Sequence, residues 1–283
     1  MSDRRPDWLE VRQGEAPLIV SIPHGGFELG EYEQRFVSPW LACKDADWRL
    51  YELYDFVGSL GATLVRTRLS RSIVDVNRDP SGGSLYPGQA TTELCPTTTF
   101  DGEPLYPRAV PDAIEIDERR RAYFDPYHDA LHGEIVRLKA RFARVALFDA
   151  HSIRSRIPRL FDGELPVFNL GTNGGSSCSP RLREALGAAI AASGRSFVVD
   201  GRFRGGWITR HYGKPGEGIE AIQLELACRG YMLEPDFPSP DNWPQPIDDV
   251  RAARTRATVR RVLETILKYV GYDFRKPDIS GIP

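Results

Sequence analysis

Little in this chain points to chemistry held by sulfur, to a membrane or to a polyanion. Its 283 residues include four cysteines, Cys43, Cys95, Cys178 and Cys228, too widely spread to form a C-x-x-C pair. That spacing argues against a cysteine zinc site or a disulfide framework and fits reduced thiols in a cytoplasmic protein. The formal net charge is only -2. No electrostatic case follows for binding nucleic acid or an anionic membrane. No apolar run approaches the roughly 20 residues of a membrane span. The first residues, Met1-Ser2-Asp3-Arg4-Arg5-Pro6-Asp7, lack the apolar stretch of a secretory signal. Internal repeats and low-complexity segments are also absent.

What is present is an alternation of short apolar runs with longer helical patterns. The runs predict strands at Leu18–Ile22, Ala62–Arg66, Ile73–Val76, Val145–Phe148, Val167–Leu170, Phe197–Val199 and Ala221–Leu226. Several are apolar on consecutive positions, as expected of strands covered on both faces. Helices are predicted over Trp40–Leu60, Pro111–Ala143, Ser179–Ser193 and Ile247–Val270. Pro126 is expected to break or kink the second, and Ser179 to cap the third ahead of Pro180. The alternation predicts an α/β fold, a mixed and mostly parallel sheet sandwiched between helices, in one domain over residues 1–283. From Asp79 to Pro107 the chain is rich in Gly, Pro and Thr, and is read as a loop over the active-site face.

Two of the apolar runs end on histidine. Leu18–Ile22 leads into Pro23-His24-Gly25-Gly26, and the run before residue 149 into Asp149-Ala150-His151-Ser152. Open α/β sheets place ligands just beyond the carboxyl ends of their strands. His24 and His151 can thus converge on one metal ion. A catalytic zinc takes three N/O ligands and leaves one position open. Asp47 is the preferred third ligand, with Glu28 and Asp45 as alternatives. Glu225, in an apolar run, is the expected general base. The Gly25-Gly26 pair suggests close backbone approach at a ligand site. His128-Asp129-Ala130-Leu131-His132 offers a competing i, i+4 histidine pair. Asp129 reaches less far than the glutamate such helical zinc motifs use, so His128 is read instead as a pocket-lining residue.

The segments Ser21-Ile22-Pro23-His24-Gly25-Gly26, Asp75-Val76-Asn77-Arg78-Asp79-Pro80, Phe148-Asp149-Ala150-His151-Ser152 and Gly205-Gly206-Trp207-Ile208-Thr209-Arg210-His211-Tyr212-Gly213 resemble the N-formylglutamate amidohydrolase family. The resemblance runs from about Pro17 to Met232. It implies hydrolysis of N-formyl-L-glutamate to formate and glutamate, the last step of one histidine-degradation route. It also implies a hydrolase-like fold of the zinc exopeptidase kind and one zinc ion. Asn77 and Arg78 resemble the carboxypeptidase Asn-Arg segment that holds a substrate carboxylate, and Glu225 the catalytic glutamate. A first ligand followed by Gly25-Gly26-Phe27 departs from the His-x-x-Glu of carboxypeptidases.

A substrate with two carboxylates calls for two cationic anchors, and arginine is suited to that role. Arg68, Arg71, Arg78, Arg154, Arg156, Arg159, Arg204 and Arg210 lie near the candidate strand ends and loops. Arg78 is the expected first anchor. Arg154 and Arg156, just after His151, are expected at the second carboxylate, with Arg210 as a further contact. Two other readings fit the same residues. One is an amidohydrolase of another N-acyl acidic amino acid. The other is a non-catalytic sensor of acidic amino acids.

Overall fold

The computed structural model describes residues 6–83 and 91–272. In chain order the elements are β1 (Leu9–Arg12), β2 (Leu18–Ile22), α1 (Pro39–Cys43), α2 (Leu50–Leu53), β3 (Thr63–Thr67), α3 (Ala113–Arg119), α4 (Asp125–Lys139), β4 (Val145–Ile153), β5 (Phe168–Gly171), α5 (Pro180–Ala191), β6 (Phe197–Val199), α6 (Trp207–Tyr212), β7 (Ile219–Ala227) and α7 (Asp249–Tyr269). The strands form one sheet in the order β1-β3-β2-β4-β7-β5-β6. β3, β2, β4 and β7 run parallel, β1 and β5 join antiparallel, and β6 is parallel to β5. The expected mixed, mostly parallel sheet between helices is therefore present.

Alternate residues of the central strands face opposite layers. Leu18, Val20, Ile22, Phe148, Ile222 and Leu224 pack with Leu50 and Leu53 of α2, Leu182 and Leu186 of α5, and Val259 and Leu263 of α7. Ile19, Val145, Leu147 and Ala221 pack on the other side with Tyr127, Leu131, Ile135 and Leu138 of α4, and Ile208 and Tyr212 of α6. Both faces are covered, which is why these strands read as continuous apolar runs. No helix among the described residues is long and apolar enough to cross a membrane.

Several elements differ from the sequence expectation. Ile73–Val76 is not a strand. The Asp75 carboxylate turns back to accept the Asn77 N–H at 2.9 Å, and the Arg78 N–H bonds the Asp75 carbonyl. Such local bonding competes with a strand ladder; burial alone had produced the apolar signal. The helix expected over Trp40–Leu60 is broken into α1, α2 and a 3-10 turn at Asp55–Leu60. Its break has a cause: the Asp47 N–H is taken by the His24 carbonyl at 2.9 Å, and Arg49 has a φ of 60°. Ser179 does not cap α5 with its side chain; its N–H and hydroxyl both bond the Glu220 carboxylate. Pro126, which has no N–H to give, follows a π turn at Arg120–Phe124 that links α3 to α4 without ending the helical run. Edge strand β1 is additional. β4 runs on to Ile153 because β7 pairs with it over nine residues, so His151 lies inside a strand rather than after one. Between Asp79 and Pro107 the described residues form neither helix nor extended strand.

Candidate metal centre

Pairing of β4 with β7 sets His151 opposite Glu225. Residues 149, 151, 223 and 225 alternate onto the face that carries α4 and α6, near the carboxyl ends of both strands. His24 follows β2, the other neighbour of β4, and Asp47 is tied to the His24 carbonyl as described. The consequence is a buried group in which one ligand atom each of His24, Asp47 and His151 lies within 4.8 Å of the others. Among the described residues it is the one such group of three. The His128–His132 pair does not assemble a rival. His128 bonds the Val76 carbonyl through Nε2 at 2.8 Å and contacts the Tyr212 hydroxyl through Nδ1. Of the alternative third ligands, Asp45 accepts the Phe100 N–H and pairs with Arg154, and Glu28 pairs with Arg68 at the surface.

The hydrogen bonding of the group indicates what it can hold. His24 Nε2 meets Asp75 Oδ1 at 2.6 Å, and His151 Nε2 meets Asp149 Oδ2 at 2.8 Å. With both Nε2 atoms donating to carboxylates, the neutral form of each ring carries its lone pair on Nδ1. Those Nδ1 atoms face Asp47 Oδ2, at 4.0 Å from His24 and 3.3 Å from His151. His24 Nδ1 and Asp47 Oδ2 are buried without any hydrogen-bond partner. With both rings neutral, the group presents three buried acceptors to one another, which is costly unless a cation lies between them. Imidazoles backed by carboxylates are also how proteins orient metal-binding histidines. The residues present therefore fit a metal ion of the borderline, N/O-preferring kind.

The charges around the group are strongly coupled. Burial favours a neutral His24, and nearby Arg71 acts in the same direction against the pull of Asp75. For His151, burial opposes the charge, but Asp149 and then Asp47 prevail and hold the imidazole well above its ordinary range. Asp75 stays well below the usual carboxylate range because Arg71 and His24 outweigh its burial. Burial pushes the Glu225 carboxyl up to about 8, although His151 opposes this. A cation beside it would favour its charged form.

One stability prediction follows for the metal-free protein. Folded Glu225 keeps its proton up to about pH 8, whereas the unfolded chain releases it near 4.5. Over that window the native state binds more protons, so its stability falls as pH rises. A Glu225→Gln variant lacks this loss. Thermal melts at the two ends of the window should show Tm diverging in favour of the variant toward pH 8; parallel curves would mean that Glu225 titrates normally.

His24, His151 and Glu225 line one pocket. Asn77 and Arg78 line it as well. Other expected contacts are not brought there. Arg154 is drawn to Asp101 at 2.7 Å and to Asp45, and exposed Arg156 to Glu164 at 2.8 Å. Arg210 bonds the Gly205 carbonyl, and His128 is enclosed between Val76 and Tyr212; neither lines the pocket. Instead Arg71 and Arg202 supply further cations to the wall, with Phe100, Leu160 and Phe203 as its apolar part. Arg71 lies over the Phe100 ring and bonds Asp75. The sequence signal for Arg71 was its i, i+4 spacing from Asp75, invisible as a pair until the intervening strand proved to be a turn. The Gly25-Gly26 pair also acquires another reason. A Cβ on Gly26 would lie 2.2 Å from the Arg68 backbone, so the close approach is to the chain itself.

Fold and site define an α/β protein with a candidate mononuclear metal centre near the carboxyl ends of its parallel strands. The N-formylglutamate amidohydrolase family model matches residues 16–232, and the chain belongs to that family. An N-formylglutamate deformylase of Pseudomonas aeruginosa is 44% identical over 264 residues, covering 92% of this chain and 96% of its own. A Pseudomonas putida protein of the same name is 42% identical over 268 residues, with the same coverage. The crystal structure of an N-formylglutamate amidohydrolase from Ralstonia eutropha JMP134 shares the fold with a TM-score of 0.76 at 22% identity, covering 93% of this chain and 98% of that one.

Proposed function

We propose that the protein hydrolyses N-formyl-L-glutamate to formate and L-glutamate, with zinc held by His24, Asp47 and His151. The observation that carries this reading is the buried His24–Asp47–His151 group, with His24 Nδ1 and Asp47 Oδ2 unpartnered, directly beside Glu225 in an arginine-lined pocket. Two relatives bearing the deformylase name support the choice of substrate. We place the reaction in histidine breakdown, as the family resemblance implies, and in the cytoplasm.

A zinc ion at this site supplies Lewis acidity, which polarises a carbonyl and makes a neighbouring water a better acid. Glu225 accepts the proton of the attacking water through its carboxylate as the new C–O bond forms at the formyl carbon. It then returns that proton to the departing nitrogen as the C–N bond breaks. Arg71, Arg78 and Arg202 bind the two carboxylates of the substrate; charge-assisted hydrogen bonds are the strong way to offset their desolvation. Arg71, whose charge is felt by His24 and Glu225, also favours the oxyanion of the tetrahedral intermediate. The apolar wall excludes water from the reacting bond.

The test is release of the free amino acid from N-formylglutamate, N-formylglutamine, N-formylaspartate and N-acetylglutamate, with metal analysis of the purified protein. N-formylglutamate is expected to exceed N-formylglutamine in kcat/KM by on the order of 10²-fold or more, since the neutral amide cannot form a charge-assisted pair with the arginines of the wall. Equal rates would remove the two-carboxylate pocket, and faster N-acetylglutamate turnover would reassign the acyl group. Arg78→Ala should lower kcat/KM by about 2–5 kcal/mol of transition-state binding. Arg156→Ala, at an exposed ion pair, should change it by less than about 1 kcal/mol.

A further inference from the structure

Asn77 was expected at the substrate, but both ends of its amide are already committed. Its Oδ1 accepts the Ile208 N–H at 2.8 Å, in the first turn of α6. That fixes which end of the amide is which, so Nδ2 is turned toward Asp149 Oδ2 at 3.0 Å. The same Asp149 oxygen receives His151 Nε2. Nδ2 also stands 3.0 Å from His151 Nε2. Asp149 Oδ2 faces both nitrogens and accepts from both, so neutral His151 keeps its proton on Nε2 and its lone pair on Nδ1.

Gln223 repeats the arrangement one strand away. Its Oε1 accepts the Gly206 N–H at 2.7 Å, which turns Nε2 toward Glu225 Oε2, 3.5 Å distant. The backbone of Gly206–Ile208 therefore grips two amides, one aimed at the carboxylate behind a ligand and one at the base. Space enforces the grip. A Cβ on Gly206 would lie 2.5 Å from the Asn77 amide, and both amide side chains are buried.

We infer that Asn77 and Gln223 are positioning residues with separate tasks: Asn77 sets His151 through Asp149, and Gln223 sets Glu225. The inference rests on the metal and base roles given above. It departs from the carboxypeptidase likeness, in which the corresponding asparagine holds substrate.

The experiment measures Zn(II) affinity by chelator competition, together with kcat and KM on zinc-saturated protein, for wild type, Asn77→Ala, Gln223→Met and Gly206→Ala. Asn77→Ala should bind Zn(II) about 10–100-fold more weakly, as when an outer partner of a ligand is lost, with KM little changed once zinc is saturating. Gln223→Met should keep wild-type Zn(II) affinity and lose about 10–100-fold in kcat, the effect of a misplaced base. Gly206→Ala should show both losses. A raised KM with intact zinc affinity in Asn77→Ala would make Asn77 a substrate ligand and overturn the inference. So would a loss of Zn(II) affinity in Gln223→Met equal to that of a ligand-side variant. Should Asn77→Ala fail to fold, Gln223→Met and Gly206→Ala still decide between separate tasks and a single structural one. A wild-type protein that takes up no Zn(II) would instead defeat the metal reading beneath it.

Discussion

Replacing Glu225 by glutamine is expected to lower turnover by roughly 10²–10⁴ while the protein retains its metal. The substitution keeps the shape of the side chain and its place opposite His151 on β4. It removes the capacity to take and return a proton. The wild-type carboxyl is poised for that exchange, because burial lifts it to about 8 and a neighbouring cation acts in the opposite direction. Metal content and initial rates measured on the same preparation decide the matter. Near-normal turnover would take Glu225 out of the mechanism, and loss of the metal with activity would make it a ligand.

His24→Ala and His151→Ala are each expected to lose more Zn(II) affinity than the roughly 10–100-fold that follows loss of an outer partner, and activity with it. Two remaining ligands hold zinc poorly. Each substitution also takes one partner from a buried carboxylate, Asp75 or Asp149. Circular dichroism must therefore accompany the metal measurement. His132→Ala, on the exposed side of α4, is the control and should keep its metal. Retention of Zn(II) by His24→Ala with its loss from His132→Ala would transfer the site to the helix.

Much of this layout is legible along the chain. The runs that became β2, β4 and β7 are apolar at consecutive positions because both faces of the sheet are covered. The histidines beside them stand out for the same reason, as polar groups in places where burial is otherwise apolar. Asp47 was harder to separate from Asp45 and Glu28. What separates them is a backbone bond, Asp47 N–H to His24 carbonyl, between residues 23 positions apart in a segment whose pattern suggested an unbroken helix. No periodicity reports a bond of that kind.

The arginines show the same limit from another side. Arg154 and Arg156 are near His151 in sequence, yet Asp101 and Glu164 draw them off. Arg71 and Arg202 reach the pocket from distant segments. A long charged side chain goes where its nearest opposite charge lies, and that partner is set by the packing of loops. By itself the sequence determined the layered α/β fold, the strands that carry the site and the residue types able to hold a metal. Those follow from local periodicity and from the cost of burying polar groups. Only the tertiary structure decided which carboxylate faces the two histidines, which cations line the pocket and which amides are already occupied. These are pairings between distant segments, and they exist only once β4 and β7 are in register and α6 is docked against them.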